Sequence, residues 1–423
     1  MPVMNADSDR NTALLREAAG QARAASAVLA RASGAQRNLA LQAAADALMA
    51  AEPEILAANR QDLAAASGTA AFQDRLKLDG TRIAAMARGL REIAELPDPL
   101  DRVLAAWTRP NGLRISRIPQ PIGVIGMIYE SRPNVGADAA ALAIKSGNAI
   151  LLRGGSESFH SGRAIHAAIA AGLTAAGLPE AAVRIAPTSD RGFVAAMLAG
   201  AGLIDLIIPR GGRGLVERVQ REARVPVLAH AEGLNHSYVH ADADFEMARR
   251  VLANAKMRRT GVCGATETVL IDRAIAAEFL PLLIGDLAGL GCDFRGDAAA
   301  RAIVPGLQAA VEQDFHTEWL DAILNVKIVE GVEEALSHIA GHGSQHTDAI
   351  ITENADIAEY FLKSIGSAVG LWNASTQFCD GGEFGFGGEI GIATGHVQAR
   401  GPVGLEQLTT FRYVIRGTGQ VRP

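Results

Sequence analysis

The chain has 423 residues, of which 49% are hydrophobic and 20% charged, and its formal net charge is −6. This length exceeds one typical hydrophobic core, so two or three lobes are expected, and the composition excludes general disorder. The acidic balance, the 4% aromatic content and the lack of a basic block argue against nucleic acid as the main partner. Charged or polar residues interrupt every long apolar stretch, so no membrane span is expected.

The three cysteines, Cys263, Cys292 and Cys379, lie far apart in the chain. An odd number is a poor basis for a disulfide framework, and no Cys-x-x-Cys spacing offers a zinc site. The amino terminus has neither the cationic nor the apolar region of a signal peptide. We therefore expect a cytoplasmic protein without a bound metal.

The first hundred residues are rich in alanine and carry apolar residues at helical spacing. The prolines at positions 97 and 99 end this helical region. The spacing predicts helices over residues 11–33, 36–66 and 81–96.

A β-hairpin is predicted next, because Asn111-Gly112 lies between alternating residues and favours a type I′ turn. Such a protruding hairpin often mediates oligomer contacts. A last strand at residues 411–415 could pair with it.

From residue 120 onward, short apolar strands alternate with helical segments. This alternation is typical of a doubly wound α/β fold with a parallel sheet, and a second α/β region begins near residue 237. The glycine-dense stretch 381–395 indicates an irregular loop. The predicted strands are 123–129, 149–152, 183–185, 203–208 and 225–228 in the first region, and 269–271, 324–329, 349–351 and 368–372 in the second.

Two glycine-rich turns follow predicted strands of the first region, Arg153-Gly154-Gly155 and Pro209-Arg210-Gly211-Gly212. Such turns let backbone N–H groups and a helix dipole approach phosphates, although turn glycines without a ligand are the alternative. Arg153, Arg210 and Arg213 would suit a phosphorylated ribose, and hence NADP rather than NAD; solvated surface arginines are the alternative here.

Cys263 lies in a Gly-Val-Cys-Gly turn, five residues after Arg258 and shortly before the apolar run 269–271. Thiol chemistry proceeds through the thiolate, and the ordinary thiol pKa of about 8.5 falls beside cations and backbone N–H donors. Two turn glycines, Arg258 and Arg259 supply such surroundings. The pattern favours a nucleophilic cysteine over a buried inert one.

Six segments carry a resemblance to a known family: Tyr129-Glu-Ser-Arg-Pro-Asn-Val135, Lys145-Ser-Gly-Asn148, Leu152-Arg-Gly-Gly155, Ile208-Pro-Arg-Gly-Gly212, Arg258-Arg-Thr-Gly-Val-Cys263 and Val329–Ile350. Together they resemble the aldehyde dehydrogenase family and, within it, the branch of gamma-glutamyl phosphate reductases. The resemblance covers roughly residues 10–417, and the last segment looks like the diagnostic signature of that branch.

The resemblance implies an aldehyde-dehydrogenase-like α/β fold with a Rossmann-type cofactor domain, an α/β catalytic domain and a small oligomerisation element. Residues 1–106 and 119–232 would form the NADPH-binding domain, and residues 233–395 the catalytic domain. Residues 107–118 and 396–423 would form the oligomerisation hairpin and strand of a homo-oligomer.

The resemblance also implies NADPH-dependent reduction of L-glutamate 5-phosphate to L-glutamate 5-semialdehyde and phosphate, the second step of proline biosynthesis from glutamate. Cys263 would carry a thioester intermediate, and glutamate 5-kinase could channel its product to this enzyme. A general NAD(P)-dependent semialdehyde dehydrogenase and a catalytically silent scaffold protein are the alternatives.

The family pattern implies roles for further residues. Asn134 would complete the oxyanion hole, with Ser131 as the alternative, and Glu318 would bind the nicotinamide ribose. Anionic groups of the substrate call for arginine, and its ammonium group calls for a carboxylate. The other candidates are Arg132, Arg258 and Arg259 for the anionic groups, Glu130 and Asp348 for the ammonium group, and His342 and His346 for the leaving phosphate, with a structural role as the alternative for both histidines.

One segment departs from the hydrolytic members of the family. Their Glu-Leu-Gly-Gly segment, whose glutamate activates water, is replaced here by Glu232-Gly-Leu-Asn235. Hydrolysis would waste an acyl phosphate, so the departure fits an acyl-phosphate reductase. It leaves the role of Glu232 open.

Overall fold

The computed structural model describes residues 6–67, 69–130, 132–229, 232–397 and 399–422. The chain divides into two compact units. The first contains the residues up to Ala229, Gly385–Gly391 and the residues from Val403 onward, and the second contains the following residues up to Phe384 together with Ile392–Pro402. Residues 385–391, expected in the catalytic domain, thus belong to the first unit, and residues 396–402, expected with the oligomerisation element, belong to the second.

Several helices begin after a short polar side chain that accepts a backbone N–H of the first turn. At Asp79, for example, the carboxylate accepts the Arg82 N–H at 2.9 Å. None of the described helices is long and apolar enough to cross a membrane. In chain order the helices are α1 (Ala6–Leu29), α2 (Gly34–Ala50), α3 (Glu52–Ala65), α4 (Ala70–Leu76), α5 (Gly80–Glu95), α6 (Val135–Lys145), α7 (Phe159–Ala175), α8 (Gly192–Leu198), α9 (Arg213–Glu222), α10 (Phe245–Met257), α11 (Arg273–Gly289), α12 (Ala298–Ile303), α13 (Val332–His342) and α14 (Ala355–Ser364).

The strands form separate sheets in the two units. They are β1 (Ala105–Thr108), β2 (Arg114–Pro121), β3 (Val124–Tyr129), β4 (Ala149–Arg153), β5 (Val183–Ile185), β6 (Leu206–Arg210), β7 (Asn235–Val239), β8 (Thr266–Asp272), β9 (Asp293–Gly296), β10 (Gln308–Ala309), β11 (Ile323–Val329), β12 (Thr347–Ile351), β13 (Val369–Trp372), β14 (Ile392–Ala393), β15 (Gly401–Pro402) and β16 (Thr409–Arg416).

Two predicted elements were wrong. The single helix expected over residues 36–66 is broken at Ala51, because Pro53 occupies the first turn of α3, the helix position where its missing N–H costs nothing. The strand expected at 225–228 is reduced to one bridge between Ile207 and Val227. Pro226 accepts the Ile207 N–H at 2.8 Å but has no N–H of its own to extend the ladder.

The first unit carries a three-stranded antiparallel sheet in the order β1-β2-β16, so the predicted pairing of the last strand with the hairpin is confirmed. The hairpin turn is not type I′. Only Gly112 has a positive φ, of 85°, while Asn111 does not. The Gly112 N–H donates to the Arg109 carbonyl at 2.9 Å. Pro110 favours the type I turn that results, because its ring fixes φ near −65°.

The second sheet of the first unit is parallel, in the order β5-β4-β3-β6. All six residues of β3 are buried, as expected for a strand covered on both faces. Leu15 of α1 and Phe193 of α8 pack in one apolar cluster with Ile128, Leu151 and Ile207 of the sheet.

The second unit is built on a seven-stranded sheet in the order β10-β9-β11-β8-β7-β12-β13, whose neighbouring strands pair in parallel. Val269 and Ile271 of β8 pack with Phe279 of α11 in one cluster. Leu270, between them in the sequence, packs with Phe361 of α14 in another. The predicted α/β fold with parallel sheets is thereby confirmed.

Candidate active site

The second unit gathers candidate residues at one edge of its sheet. β11, β8, β7 and β12 are neighbours and run parallel, so their amino ends lie at the same edge. Gly233 precedes β7, Cys263 precedes β8, Glu318 precedes β11 and His346 precedes β12. Strand order therefore collects four segments that are far apart in the sequence.

Cys263 lies half-buried in the turn that joins α10 to β8. The Ala265 N–H donates to the Val262 carbonyl at 3.0 Å and closes this turn. The other two cysteines are buried thiols, and burial raises the pKa of Cys292 to about 12. Cys292 is therefore protonated at neutral pH, which leaves Cys263 as the better candidate for a nucleophile.

Asn235 fixes the cysteine turn from β7. Its fully buried side-chain amide donates to the carbonyl of Cys263 at 2.6 Å and to that of Ala265 at 2.9 Å. Its amide oxygen accepts the Thr347 N–H at 3.2 Å. A single side chain thus joins the turn before β8 to the start of β12, a role that sequence reasoning missed.

Gly233 allows the segment before β7 to approach the cysteine turn. A Cβ at this position would lie 2.1 Å from the Cys263 carbonyl oxygen and 2.8 Å from its Cα, so only glycine fits. The Gly233 N–H donates to the Glu318 carboxylate at 2.9 Å. Burial raises the pKa of Glu318, with Glu232 adding to the effect and the Gly233 bond opposing it.

A buried ion pair flanks the turn on both sides in sequence. Lys256 of α10 donates to Glu267 of β8 at 2.6 Å, and the two side chains are 0% and 2% exposed. Burial raises the pKa of Glu267 to about 7, against the opposing effect of Lys256. Sequence reasoning missed this pair as well, although a glutamate inside an otherwise buried strand was a signal.

Arg258 and Arg259, predicted to bind anionic groups, are both exposed at the end of α10. Gln377 holds this end: its amide donates to the carbonyls of Ala255 and Arg259, each at 3.1 Å, and its oxygen accepts from Arg258 at 3.3 Å. The two arginines are therefore positioned by the segment after β13.

The predicted signature segment enters the same edge through β12. The Ser344 hydroxyl accepts the Leu234 N–H at 2.9 Å, and buried His346 contacts the Thr347 hydroxyl at 2.9 Å. Gln345 between them has a φ of 60°, which non-glycine residues rarely adopt. The segment is thus tied to the residues that approach Cys263.

Two other candidates of this unit have partners within the protein. Asp348, considered for the substrate ammonium group, is 1% exposed and accepts both the backbone N–H of His236 at 2.8 Å and its imidazole at 3.0 Å. His342, considered for the leaving phosphate, lies 2.8 Å from the Glu312 carboxylate. Asp348 is therefore closed to a substrate, and the imidazole of His342 already has an internal acidic partner.

The first unit has a cleft of about 480 Å³ beside the carboxyl end of β3, the strand edge at which open parallel sheets usually bind ligands. Tyr129 ends β3 and Arg153 ends β4. Arg153 is 6% exposed and donates to the carbonyls of Gly154 at 2.5 Å and Ser189 at 2.9 Å. Its Nε is buried without a hydrogen-bond partner among the described residues. Gly155 also lines the cleft.

The predicted turn Pro209-Arg210-Gly211-Gly212 leads from β6 into α9. The Gly212 N–H donates to the Glu130 carboxylate at 3.0 Å, and a Cβ on Gly211 would lie 2.4 Å from the same carboxylate. An internal anion therefore occupies this helix start. The described lining of the cleft includes Arg191 and Arg218 but neither Arg210 nor Arg213.

Asn134 and Arg132 also belong to the first unit. Asn134 stands at the N-cap of α6, where its amide donates to Asp138 at 3.4 Å. Burial raises the pKa of Asp138 to about 6. Arg132 is exposed, and Ser131 lies outside the described residues. The oxyanion and anion-binding roles of these residues remain predictions.

Comparison with known proteins identifies the family to which this chain belongs. The sequence pattern of the aldehyde dehydrogenase family matches residues 4–301. A gamma-glutamyl phosphate reductase of Acidiphilium cryptum is 67% identical over 411 residues, which cover 97% of this chain and 98% of that protein. Another, from Gluconobacter oxydans, is 66% identical over 406 residues, which cover 96% and 95%.

Solved structures agree. The crystal structure of a gamma-glutamyl phosphate reductase from Thermotoga maritima is similar with a TM-score of 0.95 and 43% identity, covering 97% of this chain and 100% of that one. An acetylating aldehyde dehydrogenase from Geobacillus thermoglucosidasius, at 17% identity and a TM-score of 0.68, covers 99% of this chain and 100% of its own and shares the fold. This chain is an oxidoreductase that belongs to the aldehyde dehydrogenase family and, within it, to the gamma-glutamyl phosphate reductases.

Proposed function

We propose that the chain reduces L-glutamate 5-phosphate to L-glutamate 5-semialdehyde and phosphate with NADPH, as the second step of proline biosynthesis from glutamate. The observation that carries this proposal is the half-buried Cys263 turn, held by Asn235 and Gly233 next to Glu318. The names of the relatives at 67% and 66% identity support the choice of substrate.

In the proposed reaction the Cys263 thiolate attacks the γ-carbonyl carbon, forms a C–S bond and expels phosphate from the acyl phosphate. When bound, NADPH supplies the hydride that reduces the resulting thioester carbon. The C–S bond of the thiohemiacetal then breaks, which releases the aldehyde and restores the thiolate. Covalent catalysis of this kind divides one difficult reduction into two easier steps.

The protein would contribute to catalysis mainly by holding the reacting groups in position. Asn235 holds the two carbonyls that flank Gly264, so the Cys263 side chain is presented from a rigid turn. Asn134 remains our proposed oxyanion donor. Arg132, Arg258, Arg259 and His346 remain the proposed ligands of the anionic groups of the substrate.

NADPH rather than NADH is proposed because of the first unit's cleft. Arg153 carries a buried guanidinium with a spare N–H, and the adjacent backbone of Gly154 has no Cβ. These features suit a phosphate group. Arg191 lines the same cleft and adds a second cation, and arginine is the residue type that accommodates a ribose 2′-phosphate in dinucleotide sites. Glu318 remains the proposed ligand of the nicotinamide ribose.

The proposed partners follow from the same assignment. We propose a homo-oligomer formed through the β1-β2-β16 sheet, and channelling of the labile acyl phosphate from glutamate 5-kinase. A reducing cytoplasm remains the proposed compartment, supported by three cysteines that are all thiols.

The test measures NADP⁺ reduction with glutamate 5-semialdehyde, with and without phosphate, for the wild type, Cys263→Ala and the control Cys292→Ala. We expect turnover that requires phosphate, vanishes in Cys263→Ala and persists in Cys292→Ala. Phosphate is required because the thioester must be released as the acyl phosphate in this direction.

Other outcomes would contradict the proposal. Turnover without phosphate would indicate a hydrolytic semialdehyde dehydrogenase. A folded wild type that binds NADPH but turns over no glutamate 5-semialdehyde would indicate a different substrate. A folded protein with no NADPH binding and an unreactive Cys263 would indicate a scaffold protein.

A further inference from the structure

Two histidines and a glutamate of the second unit place their donor atoms within 4.8 Å of one another. We propose that Glu312, His316 and His342 bind a divalent transition-metal ion, with zinc as the best match. No role in the reductase reaction is required of this site.

The three residues come from two separate elements of the second unit. Glu312 and His316 begin and end a short 3-10 helix, Glu312–His316, which leads into the Glu318 segment. His342 is the last residue of α13. The 25 residues between His316 and His342 conceal the site from any search for short metal-binding motifs.

The hydrogen bonds of His342 direct its Nε2 toward Glu312. Its Nδ1 lies 3.0 Å from the His338 carbonyl, which can only accept, so Nδ1 carries the proton. In a neutral ring the remaining Nε2 presents a lone pair, yet it lies 2.8 Å from a Glu312 carboxylate oxygen, another acceptor. The Nε2 lone pair and the Glu312 oxygen therefore face each other, as two ligands of one ion would.

Two of the three donor spacings suit a metal ion. The Nε2 of His316 lies 3.6 Å from the same Glu312 oxygen. Donor spacings of 2.8 and 3.6 Å bracket the separation of about 3.3 Å that bonds of about 2.0 Å impose in tetrahedral zinc sites. Imidazole nitrogen and carboxylate oxygen are both ordinary ligands of zinc.

A carbonyl that orients the ligand imidazole is also typical of metal sites, and His338 supplies it. The His338 ring stacks on the His342 ring with centroids 4.0 Å apart, and Phe315 packs against both. His338 and Phe315 are 6% and 8% exposed. The orientation of His342 is therefore set by a packed environment before any ion binds.

The ion would connect two segments that reach the cysteine turn. The 3-10 helix leads directly to Glu318, which binds the Gly233 N–H. α13 leads to Ser344, which binds the Leu234 N–H. A metal that joins the two would stabilise the folded second unit, by an amount that grows with the logarithm of its affinity, because it binds the native state alone.

The test is calorimetric titration of the full chain with zinc chloride, and with magnesium chloride as a hard-cation control, in a Cys263→Ser background that removes the half-buried thiol as a competing ligand. We expect one zinc per chain, no magnesium binding and a higher midpoint of thermal unfolding with zinc. Each of Glu312→Gln, His316→Gln and His342→Gln should weaken zinc binding at least tenfold, while His160→Gln, on an exposed position of the first unit, should not.

Cobalt provides a second readout that does not depend on stability. Cobalt(II) bound by two imidazoles and a carboxylate should give visible d–d bands without thiolate charge transfer, and His316→Gln should abolish them. His316 is half-exposed, so this variant is the least prone to unfold.

Absence of zinc binding in the Cys263→Ser protein would overturn the proposal, and so would binding that survives His316→Gln and His342→Gln. Either result would leave a proton between His342 and Glu312.

Discussion

At the scale of single residues, Arg191 differs from the other arginines of the first unit's cleft. Arg153 is buried and bonded to two carbonyls, and Arg218 donates to Glu222 at 3.0 Å. Arg191 is exposed and its side chain has no hydrogen bond or ion pair among the described residues. Its charge instead contributes to lowering the pKa of Arg153, after the larger effect of burial. Arg191 thus offers the cleft a guanidinium that is free to bind an anion.

We therefore expect Arg191→Gln to lower kcat/KM for NADPH by about ten- to a hundredfold, the effect of losing a hydrogen bond to a charged group. The value for NADH should change by less than about twofold, because NADH lacks the 2′-phosphate. Arg163→Gln is the control, since it removes an equal charge from an exposed position of the same unit. Equal losses with both cofactors would show that Arg191 does not read the phosphate.

At the scale of elements, α10 is attached by two ion pairs of opposite character. Lys256 pairs with Glu267 of β8 in full burial, whereas Arg249 pairs with Asp286 of α11 with both side chains about one-third exposed. A buried charge without its partner is costly, while an exposed pair contributes little. The segment that ends in Cys263 thus depends on one pair much more than on the other.

Lys256→Met should destabilise the protein by about 3–5 kcal/mol, because it leaves the Glu267 carboxylate buried without a cation. The double variant Lys256→Met/Glu267→Gln should recover much of that loss, and Arg249→Gln should cost less than about 1 kcal/mol. Urea unfolding measures all three. Equal costs for Lys256→Met and Arg249→Gln would mean that burial does not separate the two pairs.

The pH dependence of this pair has a definite sign. A carboxyl whose pKa is raised on folding binds its proton more tightly in the folded state. Its contribution to stability is therefore lost as the pH rises through the folded pKa of Glu267, about 7. The Lys256→Met protein should accordingly lose stability more steeply toward neutral pH than the wild type does.

The elements also show how far sequence reasoning reaches. Cys263 and the turn Arg153-Gly154-Gly155 could be proposed from the sequence because their signals are local: glycines, arginines and a neighbouring apolar run. Asn235, Lys256 and Glu267 were missed because their roles exist only through partners brought close by strand order. The two wrong elements both contain a proline whose effect depends on its position in the element.

At the scale of the whole molecule, the β1-β2-β16 sheet presents an unusual surface for a single chain. Phe411, Tyr413 and Ile415 alternate along β16 on one face and are 45%, 56% and 58% exposed. Trp107 of β1 packs edge-on against Tyr413 and is 41% exposed. An exposed aromatic row on an edge strand is typical of a surface that pairs with a second copy.

Tyr413→Asp combined with Phe411→Asp should therefore convert the oligomer to a smaller species, because it places charge in the proposed contact. Light scattering after size exclusion measures the mass. Leu290→Asp, an exposed apolar position of the second unit, should leave the mass unchanged. A wild type that runs as a monomer, or an oligomer unaffected by the double variant, would contradict the role of this sheet.

The arrangement of the second unit's sheet has a consequence for variation and engineering. Its candidate catalytic groups stand where the chain enters the strands, so the connections that leave β7 and β11, at residues 240–244 and 330–331, carry none of them. Those exits can lengthen or accept an inserted peptide without moving the thiol. One residue added between Cys263 and β8, by contrast, would carry the Cys263 carbonyl away from Asn235. The same sheet thus tolerates insertions in the connections at one edge, whereas the segment between Cys263 and β8 at the other edge must keep its length.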